Sequence, residues 1–116
     1  MFMKFLVQIL ISALAIIVAQ WILPGVTVES FLTSVLLALV LSFLNALVKP
    51  VLVFLTLPAT VVTLGLFLLV INAVIILLAD WLVPRFYVDG FWWALIFSII
   101  LSLVTSIFNG LAGTEN

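Results

Sequence analysis

Residues 21–31 read WILPGVTVESF, and residues 81–91 read WLVPRFYVDGF. Sixty positions apart, the two phrases share Trp21 with Trp81, Pro24 with Pro84, Val28 with Val88, acidic Glu29 with Asp89, and Phe31 with Phe91. Each joins a proline to a polar turn and lies between long apolar runs, which makes it the turn of a two-span helical hairpin. Laying residues 1–50 over 61–110 without a gap also matches Leu6 with Leu66, Ala13 with Ala73, Ala19 with Ala79 and Ser42 with Ser102. In a chain this rich in Leu, Val and Ile some apolar matches arise by chance. The weight therefore rests on the paired Trp, Pro, Phe and acidic residues.

The flanking runs fall near residues 3–22, 31–49, 62–82 and 92–110. About 20 apolar residues cross about 30 Å of hydrocarbon, so each run is long enough for a span. The first carries a single early Lys4 and no convincing small-residue cleavage site, and it is read as a retained span rather than a signal peptide. The sequence thus predicts an all-α membrane protein of four transmembrane helices, built as two tandem parallel-repeat helical hairpins. It predicts a single integral membrane domain over residues 1–116, with one repeat at about 1–50, a connector at about 50–60 and a second repeat at about 61–110.

Composition agrees with that compartment. Of 116 residues, 69% are hydrophobic and 6% charged, and the mean hydropathy is +1.68. Three Lys plus Arg against four Asp plus Glu offer no basic field, so nucleic-acid binding is set aside. The chain has no cysteine and no histidine, which removes disulfides, thiol chemistry and the commonest zinc ligands. Glu29, Asp80 and Asp89 have no nucleophile and base beside them, no glycine-rich phosphate loop occurs, and neither an enzyme nor a cofactor is expected.

Each repeat holds an even number of spans, so both begin on the same side, unlike the inverted repeats of many transporters. Lys4 and Lys49 then lie opposite Arg85, and the Lys/Arg bias of short loops predicts cytoplasmic N- and C-termini. Trp21, Trp81, Trp92 and Trp93, with Tyr87, gather at the outer boundary as interfacial anchors. Between the hairpins, Pro50 and Pro58 bracket a stretch too short to cross and too apolar for a free aqueous loop. It either re-enters the membrane under shelter from the spans, or Pro50 kinks the second span and the helix then runs along the headgroups. The second reading is preferred.

Polar residues inside the spans form two stripes. Ser42, Asn45 and Lys49 share one helical face, and Ser98, Ser102, Thr105 and Asn109 repeat that spacing on the fourth span. Asn72 lies within the third span, aligned with Ser12, and needs a partner such as Asn45. Gln8 and Gln20 add weaker polar points, and Asp80 and Arg85 either pair across the Pro84 bend or are solvated separately. Small polar residues on one face serve close helix packing, with interhelical hydrogen bonds worth about 1 kcal/mol or less each. Alternatively they form a wet face that lines a pore on oligomerisation. Lys49 can snorkel to the inner headgroups.

At LNALVKPVLVFLTLPATVVTLGLFLLVINA (residues 44–73) and WLVPRFYVDGFWWAL (residues 81–95) the chain resembles the small four-span bacterial membrane proteins grouped as YvlD-like or superfamily IV phage holins. The most specific positions are Asn45, Lys49, Pro50, the LTLP of 55–58, Leu64 and Gly65, Asn72 and the VDGFW of 88–92. The resemblance covers nearly the whole chain. It implies a bacterial cytoplasmic (inner) membrane protein and brings no catalytic residues with it. Three functions stay open at this point. The leading one is a non-enzymatic, holin-like protein that associates laterally as a homo-oligomer and permeabilises the membrane. The others are a structural or envelope-stress component that binds membrane lipids or other membrane proteins without conducting, and a small ion channel or transporter.

Overall fold

A computed structural model of the chain describes residues 2–63 and 65–113. Leu64, one of the positions that carry the resemblance, and residues 114–116 lie outside the described residues. Helix α1 (Phe2–Ile22) is an unbroken run of strong helix formers and β-branched residues that stops two residues short of Pro24. Helix α2 (Phe31–Phe43) starts at Ser30, whose hydroxyl accepts the Thr33 N–H at 3.1 Å. It passes through one π-helical turn (Leu44–Val48) into α3 (Lys49–Leu55), so that one apolar helix runs through 25 residues from Phe31 to Leu55.

That turn explains how the helix survives Pro50. A proline has no N–H to give, and its ring crowds the carbonyl one turn back. The wider turn, in which the Lys49 N–H reaches back five residues to the Leu44 carbonyl, makes room for the ring. The Pro-bracketed connector is therefore helical as far as Leu55. Thr56 then donates its hydroxyl to the Leu52 carbonyl at 2.7 Å, and α4 (Leu57–Val62) begins with Pro58 in its first turn. Gly65, at φ 91°, ends that helix and redirects the chain into α5 (Phe67–Leu82). The third span therefore starts at Phe67, not at residue 62, and its 16 residues rise only about 24 Å. Helix α6 (Phe91–Ala112) closes the chain.

The two hairpin turns are not plain loops. Val26–Val28 (β1) and Phe86–Val88 (β2) pair antiparallel, with Thr27 opposite Tyr87. This two-stranded ribbon is absent from the all-α expectation. It places both turns at one end of the molecule, and its register is symmetric under the sixty-residue shift: Val26 faces Val88 just as Phe86 faces Val28. The flanking bonds obey the same shift. The Glu29 N–H donates to the Arg85 carbonyl at 3.2 Å, and the Asp89 N–H donates to the Gly25 carbonyl at 2.9 Å.

Helix α1 packs on α2 and α6, and α5 packs on α6 and more lightly on α2. The second and fourth spans, α2 and α6, are counterparts under the sixty-residue shift, and the ribbon register is centred on the Thr27–Tyr87 pair. Between the two spans, the half nearest the ribbon is filled by Ile16, Leu37, Ile75, Val83, Phe86 and Phe97, all fully or almost fully buried. The rings of Phe86 and Phe97 lie 5.8 Å apart and tilted. Between membrane helices such contacts stabilise by close packing, since lipid is as apolar as the core. The outward faces carry large exposed apolar side chains, including Leu10, Leu14, Leu36, Leu39, Leu103 and Ile107.

Candidate functional site

Away from the ribbon the gap between α2 and α6 stays open and becomes polar. A cavity of about 350 Å³ is lined by Ser12, Ser42, Asn45, Ser102, Thr105, Ser106 and Asn109, over a floor of Ile16, Ala38, Leu41 and Leu101. It adjoins a cavity of about 110 Å³ lined by Asn45, Lys49, Asn72, Ser98 and Ser102, with Leu41, Ile75, Ile76 and Leu101. The shift of sixty residues carries Ser12 to Asn72, Ile16 to Ile76, Ala38 to Ser98, Ser42 to Ser102 and Lys49 to Asn109. The two cavities are counterpart halves of one cleft, and they share Leu41, Asn45, Leu101 and Ser102.

This geometry follows from the helix period. Residues three and four apart share a face, so Ser42, Asn45 and Lys49 form one wall, and Ser98, Ser102, Thr105 and Asn109 form another. Both stripes meet at the larger cavity, Ser42 and Asn45 from one and Ser102, Thr105 and Asn109 from the other. All eight polar residues singled out in the sequence, Ser42, Asn45, Lys49, Asn72, Ser98, Ser102, Thr105 and Asn109, line one or both cavities. Asn45 and Asn72 share the smaller one, but among the described residues no hydrogen bond joins them. Lys49, read from sequence as a snorkelling boundary residue, is half-buried and lines that cavity together with Asn72 and Ile75. Ser98 is buried and donates its hydroxyl to the Leu95 carbonyl at 2.8 Å.

Several residues were missed or only touched by the sequence reading. Gln8 Nε2 donates to Asn109 Oδ1 at 3.0 Å, which fastens α1 to α6. Ser12 and Ser106 add hydroxyls to the larger cavity. Gln20 and Asp80 face the ribbon instead: Gln20 Oε1 accepts the Val28 N–H, and Asp80 Oδ2 accepts the Val88 N–H. Asp80 therefore holds β2, and among the described residues Arg85 forms no ion pair. A signal was present, because Gln20 aligns with Asp80 under the sixty-residue shift and both end in a carbonyl-type oxygen.

The anchors sort into two kinds. Trp21, Trp81 and Trp92 are 74%, 81% and 71% exposed at the ribbon end, whereas Trp93 is half-buried with its indole seated on Gly25. Chemically the cleft offers hydroxyls, amides and one ammonium group. Among the described residues no group of three or more acidic, His or Cys side chains could hold a metal ion. The arrangement suits solvation or binding of polar groups rather than proton transfer.

Comparison with known proteins agrees with this architecture. Residues 3–107 match the family described as mycobacterial 4 TMS phage holin, superfamily IV. An uncharacterized protein of Streptomyces coelicolor is 40% identical over 116 residues, covering 91% of this chain and 93% of that protein. The uncharacterized membrane protein YvlD of Bacillus subtilis is 43% identical over 101 residues, covering 86% of this chain and 85% of that protein. No solved structure gives a significant match.

Proposed function

The chain belongs to the superfamily IV family of four-transmembrane-segment phage holins, and from that premise we propose that it is a non-enzymatic protein of the bacterial cytoplasmic membrane that permeabilises the membrane by lateral association. As one integral membrane domain, it sits with both termini in the cytoplasm and the ribbon outside. Copies gather through their exposed apolar helix faces, and the polar cleft supplies the surface that tolerates water once neighbouring helices separate. The observation that carries this reading is the pair of Ser, Thr and Asn stripes inside a helical bundle built for lipid. Such polar surface is costly in hydrocarbon unless it is paired or wet.

A second reading has its own support. The buried side chains of Leu37, Phe86 and Phe97 fill the ribbon half of the bundle among the described residues. A fixed bundle of this kind would bind lipid or partner proteins without conducting. Flux from liposomes, over a range of protein-to-lipid ratios and beside the Asn45→Leu variant, separates the readings. Leakage of a large dye that rises steeply with protein density supports holes between copies, and Asn45→Leu should depress it while leaving crosslinking between copies intact. Selective ion flux at low density would instead indicate a channel through one bundle. No flux at any density would leave the cleft as packing or as a binding site.

A further inference from the structure

The two halves of the cleft are related by the repeat but differ in chemistry. In one half Asn109 accepts a hydrogen bond from Gln8. In the other half the corresponding position is Lys49, and the residue corresponding to Gln8 is Leu68, so that bond has no counterpart. Among the described residues, Lys49 is the only charged side chain lining either cavity, and no carboxylate pairs with it. Beside it Asn45 and Asn72 present amides that, among the described residues, donate to no protein group. A cation with unused N–H donors around it, in a site partly shielded from water, is an environment that favours a negative charge.

We infer that Lys49, Asn45 and Asn72 form a site for a phosphate-type oxyanion, borne by an anionic phospholipid headgroup or supplied as free inorganic phosphate. The cavity of about 110 Å³ is on the scale of a few waters at roughly 30 Å³ each, which suits a small oxyanion. An apolar groove of about 440 Å³ continues from Asn45 and Lys49 along Val53, Phe54 and Leu57. It gives hydrocarbon a place beside the headgroup. The inference rests on the membrane-spanning reading above and is independent of lateral association and of any hole.

The test is thermal unfolding of the purified full chain, diluted to monomer in a neutral detergent and titrated separately with phosphatidylglycerol, phosphatidylcholine and inorganic phosphate. Lys49→Asn installs the side chain that the second repeat uses at the corresponding position, and Lys4→Asn is the charge-matched control. Phosphatidylglycerol or inorganic phosphate should raise the unfolding midpoint of the native chain. The apparent affinity should fall at least about tenfold in Lys49→Asn and stay unchanged in Lys4→Asn. Stabilisation by phosphatidylglycerol alone identifies the lipid as the source, and stabilisation by inorganic phosphate identifies the free anion. Should Lys49→Asn fail to fold, Asn72→Leu must weaken the same affinity and Lys49→Arg must retain it. Equal stabilisation by phosphatidylcholine with inert phosphate, or an undiminished response in these weakened variants, overturns the site. Loss of crosslinking between copies in membranes, with this titration intact, would sink the association reading alone.

Discussion

Gln20 and Asp80, sixty positions apart, hold the two strands of one ribbon by the same bond: each side-chain oxygen accepts the backbone N–H of the residue eight positions on, Val28 at 3.3 Å and Val88 at 3.2 Å. The chemistry of the acceptor differs, an amide in one repeat and a carboxylate in the other, but the geometry is shared. A three-residue strand cannot hold itself in place, and these oxygens fix both strands to the ends of α1 and α5.

Removing either acceptor leaves a partly buried N–H without a partner. Gln20→Leu and Asp80→Leu should each destabilise the fold by about 1–3 kcal/mol, whereas Asp80→Asn, which keeps an oxygen in place, should cost less than about 1 kcal/mol. Denaturant unfolding in detergent, followed by circular dichroism, checks the ranking. An Asp80→Asn loss as large as that of Asp80→Leu would mean that the charge, not the bond, matters.

Gly25 is required for space. A Cβ there would fall within the Trp93 indole, so Gly25→Ala should cost about 1–3 kcal/mol through overpacking. Shrinking the indole should relieve the clash, and Gly25→Ala combined with Trp93→Leu should lose less than the two single changes added together. Strict additivity in that double-mutant cycle would refute the contact.

Arg85 occupies the left-handed region at φ 66°, where a Cβ is crowded, and among the described residues its side chain forms no ion pair. Arg85→Gly should therefore stabilise the turn by about 0.5–1 kcal/mol, after allowing for the extra freedom glycine gives the unfolded chain. A lower thermal midpoint for this variant would show that Arg85 contributes an interaction beyond the strain.

Thr60 Oγ1 is buried and, among the described residues, has no hydrogen-bond partner. Thr60→Val keeps the shape and removes the unpaired oxygen, so it should be neutral or stabilising by up to about 1 kcal/mol. A loss of stability would point to a partner that the hydroxyl acquires in the membrane.

The proposed orientation is open to direct labelling, because the chain contains no native cysteine. Thr27→Cys, on the exposed side of the ribbon, should react with an impermeant thiol reagent applied to intact cells. Met3→Cys should react only after the membrane is opened. The reverse pattern would invert the topology and place Lys4 and Lys49 outside.

What could be read along the chain was whatever depends on local composition and period. Four apolar runs of near-spanning length, the Pro24 and Pro84 turns and the sixty-residue repeat follow from side chains taken a few at a time, because crossing hydrocarbon needs only enough consecutive apolar residues. The same periodicity put Ser42, Asn45 and Lys49 on one face. Other features depend on residues far apart in sequence. Strands of three residues carry too little alternation to be recognised, and each exists because the other repeat supplies its partner. The passage of the helix through Pro50 needed a π turn that no propensity announces. Only the tertiary structure decided that the two polar stripes line one cavity, that Gln8 reaches Asn109, and that Lys49 shares a cavity with Asn72. A helical period says which residues share a face, but the direction that face points is set by packing against the other repeat.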